Sequence, residues 1–487
     1  MQRTRRLLAW AAAFSFPAAA AQPVCAQLTF QPHLFEAQSG RRVQAELGWL
    51  EVPENRSNPS AHRIRLAVMR LPSTSSSPGP PIVHLAGGPG NSAIQAGRGK
   101  RLAVFQALSQ VADVILLDQR GTGLSEPDLQ CRGVWSLPLD RPGDPDAILQ
   151  EARRQARSCA ASLREKGRDL AGFNGREIAL DLEDLRKALG VEQISLLGFS
   201  WGTQLALTAV RMHEERIARA ILAGVVGQGQ RLHRPQAVDS WLQQVQSSIE
   251  ADPLARQRFP DFPGLVRKVV KRLRRQPVVV EAPVPLAHRT ARLAIGEFDL
   301  QMFTVQALGS ADSVRRLPLI YEAFSRGDFS ALTSAVQRLR RGWLGSALPY
   351  AIKCSAAVPA HRLEEIRRQE GLSPLGRALN FPFPDICQAW GLDGSAPAKE
   401  MPSGPKRRYR TPVLLISGTL DARTPPSNAQ EVAGHFTDPV QLVIANAGHD
   451  DDLFLSSPRI LELMLAFLRG ETVSETRISI PAPDFLK

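Results

Sequence analysis

Short unbroken apolar runs, each closed by a polar turn containing glycine, constrain the fold of this chain more than any other feature. "PIVHLAGGPG" (Pro81 to Gly90), "ADVILLDQRGTGLS" (Ala112 to Ser125) and "VEQISLLGFSWG" (Val191 to Gly202) share this design. So do "IARAILAGVV" (Ile217 to Val226), "TPVLLISGTLD" (Thr411 to Asp421) and "PVQLVIANAGHD" (Pro439 to Asp450). Runs this short and this apolar read as strands buried on both faces, which is the habit of a parallel sheet. Between them lie helical patterns. "GREIALDLEDLRKALG" sets Ile178, Leu182, Leu185 and Leu189 on one face and stops at Gly190, and "RILELMLAFLRG" is an amphipathic helix near the C-terminus. Alternating strand and helix predict an α/β chain with a doubly wound, mostly parallel sheet. "HRIRLAVMRL" (His62 to Leu71) alternates enough to be a further strand.

From Gln228 to Pro405 the pattern changes to basic, proline-punctuated helical stretches without clear strands, which predicts a helical cap inserted into the sheet domain. The expected organisation is therefore a leader over 1–26, a core over 27–227, the cap over 228–405 and the rest of the core over 406–487. Arg3, Arg5 and Arg6 followed by an apolar stretch from Leu7 to Ala21 and small residues read as an export signal, with cleavage after Ala21 or Ala26. Thr4-Arg5-Arg6 faintly resembles a twin-arginine signal. That apolar stretch falls short of the roughly 20 residues a spanning helix needs, so no stable membrane insertion is expected. With Cys25 discounted, Cys131, Cys159, Cys354 and Cys387 make an even set suited to an oxidising compartment. Among three connectivities the sequence-local one, Cys131 with Cys159 and Cys354 with Cys387, is preferred. A metal site reads less well, because no two of these cysteines form a close-spaced ligand pair.

The net charge of +13 is spread widely. In its densest run, "VRKVVKRLRRQ" (Val266 to Gln276), apolar residues fall at helical spacing, so a solvated helix face is expected there and no nucleic-acid partner.

Gly198-Phe199-Ser200-Trp201-Gly202 lies between a strand pattern and a helix pattern, the context in which a serine is held on a sharp turn as a nucleophile. A serine hydroxyl needs a histidine to take its proton and an acid to orient that histidine. Asp421 and His449 each follow an apolar strand and stand in the chain order serine, acid, histidine. His213, His233, His288, His361 and His435 lack a preceding strand, and Asp450, Asp451 and Asp452 adjoin the histidine too closely to face its ring well. The tetrahedral intermediate requires two amide donors, expected from Trp201, which follows the nucleophile, and from Gly88 in the early glycine loop, since Pro89 has no N–H. No metal or organic cofactor is expected.

Together, "GGPG" (Gly87 to Gly90), "DQRGTGLS" (Asp118 to Ser125), "GFSWG", "GTLDARTP" and "AGHD" resemble the α/β-hydrolase family of proline iminopeptidases and tripeptidyl aminopeptidases, in its exported, cysteine-bearing branch. The likeness covers about Leu47 to Gly227 and Thr411 to Gly470 and extends to the inserted region only in layout. It departs in placing Ala86 where family members often have histidine, with His84 two positions earlier. The resemblance implies an α/β-hydrolase fold, a cap over the site, and release of N-terminal residues or short peptides through an acyl-enzyme; carboxylesterase action on small esters is the alternative, and a non-catalytic binding protein a remote one. It also implies cap carboxylates that grip a free amino group, for which Glu297, Asp299, Glu322 and Asp328 are candidates.

Overall fold

A computed structural model describes residues 28–58, 60–284, 289–392 and 408–487. The expected leader with Cys25, His288 and the boundary at Pro405 lie outside the described residues.

Twelve strands are described, β1 (Gln31–Glu36), β2 (Arg42–Pro53), β3 (Arg63–Leu71), β4 (Ile82–Leu85), β5 (Val114–Leu117), β6 (Ile194–Phe199), β7 (Ile217–Ala223), β8 (Val278–Val284), β9 (Arg289–Ile295), β10 (Val413–Gly418), β11 (Pro439–Ala445) and β12 (Arg477–Ser479). Ten form one sheet in the order β1-β2-β3-β5-β4-β6-β7-β10-β11-β12. From β5 to β12 neighbouring strands are parallel, whereas β1, β2 and β3 pair antiparallel at one end. Every residue of β4, β5, β6 and β10 is buried, as their unbroken apolar runs require. Alternate side chains feed two cores. Val83 and Leu85 join the helices Pro145–Glu165, Gly175–Ala188 and Trp201–His213 on one face, while Ile82, Leu116 and Leu197 join Ala93–Arg98, Leu102–Leu108 and Pro458–Arg469 on the other. Each such aliphatic side chain removed from water contributes about 1.5–3 kcal/mol before entropy is charged against it.

The helix Gly175–Ala188 buries Ile178, Leu182 and Leu185 and is followed by Gly190 at φ 69°, as its periodicity predicts. Val191 to Gln193, expected as the start of a strand, are instead an irregular link in which the Val191 carbonyl accepts from Arg186, and β6 begins at Ile194. β1 and β2 carry too many exposed polar residues to signal strands on their own.

The inserted segment is largely helical and has a core of its own, including Trp241, Phe262, Leu300, Tyr321 and Phe324. It also carries an antiparallel hairpin of β8 and β9, which corrects the expectation of a strandless cap. That hairpin mixes charged residues and Pro283 into its apolar pattern, which hides its period. The basic run forms the helix Phe262–Arg275, with Val266, Val269, Val270 and Leu273 buried and its charged residues turned outward. Trp241 Nε1 donates to the Leu420 carbonyl at 2.9 Å, tying the cap to the loop after β10. Disulfides join Cys131 to Cys159 and Cys354 to Cys387. Among the described residues, no helix is long and apolar enough to cross a membrane.

Candidate active site

The site lies at the carboxyl ends of β6, β10 and β11, where loops leave the sheet. β6 runs into Ser200, which adopts φ 54° and ψ −123°, a strained backbone for a residue with a side chain, and the helix Trp201–His213 begins at once. The turn is this tight only because glycines surround it. A Cβ on Gly202 would sit 1.9 Å from the Leu85 carbonyl oxygen, and one on Gly87 would sit 2.8 Å from Ser200 Cβ. The early glycine loop is thus pressed directly against the serine.

Ser200 Oγ lies 2.9 Å from His449 Nε2. The other ring nitrogen, Nδ1, lies 2.8 Å from Asp421 Oδ2. Asp421 follows β10 and His449 follows β11, and because these strands pair in parallel their terminal loops meet. The backbone N–H groups of Arg423 and Thr424 both donate to Asp421 Oδ1 at 2.8 Å, and the Thr424 hydroxyl donates to Oδ2. The same hydroxyl oxygen is 2.9 Å from His449 Nδ1. Burial pushes the Asp421 carboxyl up, but the charge and hydrogen bond of His449 together with the bonds from Thr424 outweigh it and hold the group below its ordinary value. Thr424 stands inside the quoted "GTLDARTP", yet nothing in the pattern marks a threonine as a partner of the acid.

The neighbouring acids are engaged elsewhere. Asp451 pairs with Arg101 at 2.9 Å, Asp450 pairs with the same arginine at 3.3 Å, and Asp452 accepts from the Gly448 N–H at 3.0 Å. Of the rival histidines, His233 also lines the cleft, where burial foremost and the charges of Lys353 and Arg423 pull its imidazole down to about 4.

A cleft of about 430 Å³ opens over Ser200, with Gly88 and Trp201 in its wall. The cap contributes Gln306, Gly309, Ser310 and Lys353 to that wall. Close approach is again permitted by a glycine, since a Cβ on Gly448 would meet the Ala311 N at 2.5 Å. None of the expected amine-gripping carboxylates lines the cleft. Glu297 pairs with Arg274 at 2.7 Å and Glu322 with Arg258 at 2.7 Å. Asp299 is buried against Arg340 and accepts from the Gly143 and Gly296 N–H groups, and Asp328 caps Ser330. Instead, the wall carries Arg231, Lys353 and Arg423, three cations from separate stretches of chain that no sequence motif marks.

Two residues of "DQRGTGLS" hold the scaffold. Asp118 accepts from Ser92 Oγ at 2.6 Å and from the Ile94 and Leu124 N–H groups, pinning the glycine loop. Arg120 is wholly buried, donating to Asp181 at 2.6 and 2.8 Å and to the Glu54 and Gly172 carbonyls at 2.6 Å. Among the described residues no cluster of His, Cys, Asp and Glu could hold a metal ion.

A family profile described as the alpha/beta hydrolase fold matches residues 80–453, which include the glycine loop, Ser200, Asp421 and His449. The chain belongs to the α/β-hydrolase fold family. This α/β hydrolase is 28% identical over 193 residues to serine protease Hip1 of Mycobacterium tuberculosis, the match covering 37% of the chain and 35% of that protein. It is also 28% identical over 190 residues to a tripeptidyl aminopeptidase of Streptomyces lividans, again over 37% of the chain and 35% of that protein. Both matches therefore span about a third of those relatives. A protein named as a hydrolase, YuaR of Escherichia coli, is 24% identical over 439 residues, covering 82% of the chain and 81% of its own length.

Proposed function

We propose that this α/β hydrolase is a serine hydrolase that cleaves an ester or amide through an acyl-enzyme on Ser200. The observation that carries this reading is the continuous relay from Ser200 Oγ to His449 Nε2 at 2.9 Å and from His449 Nδ1 to Asp421 Oδ2 at 2.8 Å. In the first step Oγ attacks the substrate carbonyl carbon while His449 Nε2 takes its proton; Asp421 holds the N–H at Nδ1 and stabilises the imidazolium. The N–H groups of Gly88 and Trp201 donate to the oxyanion, and the leaving group departs with the proton from His449. Water then repeats the sequence on the acyl-enzyme, releasing the acid and restoring Ser200. The two disulfides and the arginine-led N-terminus favour action outside the cytoplasm.

The test is a fluorophosphonate label with turnover of 4-nitrophenyl butyrate. Ser200→Ala is expected to abolish labelling and lower turnover by about a million-fold, the order found on removing a triad nucleophile. Turnover within tenfold of the parent would refute the role. A second reading, release of N-terminal residues or tripeptides, is favoured by the names of the partial relatives. A panel of arylamides with free and blocked N-termini separates the two, since only an aminopeptidase demands the free amine.

A further inference from the structure

Arg231, Lys353 and Arg423 reach the cleft from three different segments, which makes their convergence a tertiary feature. Arg231 follows the Gly227 to Gln230 turn, closed by Gly227 N–H donating to Gln230 Oε1 at 2.7 Å. Lys353 sits on the helix Leu348–Ser355, beside Cys354, whose disulfide to Cys387 anchors that helix. Arg423 follows the acid Asp421 by two residues, and one of its terminal nitrogens is 3.4 Å from the Gln306 carbonyl.

The charges of Arg231 and Lys353 are poorly compensated. The buried Nε and one terminal nitrogen of Arg231 have no hydrogen-bond partner, and neither Arg231 nor Lys353 makes an ion pair among the described residues. Lys353 Nζ instead lies 5.0 Å from the centre of the Phe383 ring. Among the described residues Asp450 is the one carboxylate in the wall, largely exposed and shared with Arg101, while Asp421 behind the wall offsets part of the Arg423 charge. Burial, with repulsion from Arg423 and Arg231, pulls the Lys353 ammonium down to about 8, and burial pulls the Arg231 guanidinium to about 10. Gathering like charges out of water costs free energy. A bound anion recovers it.

Resting on the serine-hydrolase reading, we propose that the cleft selects acyl substrates carrying a carboxylate close to the scissile carbonyl, with Lys353, Arg231 and Arg423 as its receptors. The carboxylate belongs either to the acyl part, as in a half-ester of a dicarboxylic acid, or to the leaving part, as in a peptide with a free C-terminus. A free substrate ammonium, in contrast, meets three cations and one shared carboxylate.

Two matched pairs distinguish the sources. 4-Nitrophenyl hemiglutarate against 4-nitrophenyl butyrate places the charge on the acyl side; acetyl-Leu-Gly against its C-terminal amide places it on the leaving side. In at least one pair the anionic member is expected to have the higher kcat/KM by about tenfold to a hundredfold, the scale of one charge-assisted contact in a secluded site. Lys353→Met and Arg231→Gln each reduce that ratio toward one, whereas Lys268→Gln, on the exposed side of Phe262–Arg275, leaves it unchanged. Equal or better use of the neutral member in both pairs overturns the proposal. Calorimetry of Ser200→Ala with glutarate monoanilide against butyranilide, and with acetyl-Leu-Gly against its C-terminal amide, gives a readout independent of turnover: preference for the anion in at least one pair supports the proposal, and equal affinity in both overturns it. Parent protein that labels with fluorophosphonate but ignores charge refutes the anion site alone. Absence of labelling and of all turnover, with anion preference kept in Ser200→Ala, refutes the hydrolase reading alone.

Discussion

Replacing Thr424 by valine removes one hydroxyl from the relay while keeping its shape. That hydroxyl donates to Asp421 Oδ2, the same oxygen that accepts from His449 Nδ1 at 2.8 Å. A hydrogen bond to a charged group contributes about 1.5–3 kcal/mol. Asp421 retains the Arg423 and Thr424 N–H donors at 2.8 Å, so the carboxylate stays in place and the lower end of that range applies. At about 1.4 kcal/mol per decade of rate, the expected fall in kcat/KM is about tenfold. Removing one of the bonds that lower the Asp421 carboxyl also lets it rise toward its ordinary value. A depressed carboxylate contributes stability that is present above its unfolded value and lost as pH falls through its folded value, so Thr424→Val loses part of this contribution at neutral pH and titrates at a higher pH. The measurement is kcat/KM for 4-nitrophenyl butyrate alongside Tm at pH 7 in parent and variant. If kcat/KM stays within twofold and Tm is unchanged, the hydroxyl does not hold the acid.

Two further outcomes follow from the scaffold. Arg120→Met leaves Asp181 with Arg56 at 2.8 Å as its remaining cation and strips the Glu54 and Gly172 carbonyls of their donor, so stability measured by denaturant titration is expected to fall by about 3 kcal/mol, the lower end of the cost of breaking a buried ion pair from one side; a loss below 1 kcal/mol contradicts it. His84, buried on β4 with Nδ1 3.0 Å from the Leu197 carbonyl of the neighbouring β6, is pulled to about 3 by burial and by Arg101. Its folded value lies below the unfolded one, so the unfolded chain binds the extra proton first and stability falls as pH drops from about 6.5 toward 3. His84→Gln is expected to flatten that dependence in a calorimetric Tm series, and an unchanged slope refutes the assignment.

Local chemistry made much of this protein legible in its sequence. A strand buried on both faces must be apolar throughout, so β4, β5, β6 and β10 announce themselves. A serine held at positive φ against a neighbouring strand and loop needs glycines at fixed offsets, which is why Gly198 to Gly202 carries a signal. Asp421 and His449 are readable because each ends an apolar run. β1 and β2 are quieter, since strands with one face toward water mix polar residues into their period, and the hairpin of β8 and β9 is hidden for the same reason.

Relations between distant segments were decided only by the tertiary structure. Glu297, Asp299 and Glu322 are acidic in sequence, but their charges are taken by Arg274, Arg340 and Arg258, and no spacing rule announces those partners. Arg231, Lys353 and Arg423 belong to no common motif, and they become one electrostatic feature only when the cap lies over the loops after β7 and β10. The sequence by itself determined how Ser200 is presented, because strain at one backbone turn depends on residues a few positions away. What may approach Ser200 was decided by folding, because Coulomb interactions depend on distance through space and on exclusion of water, and neither is written along the chain.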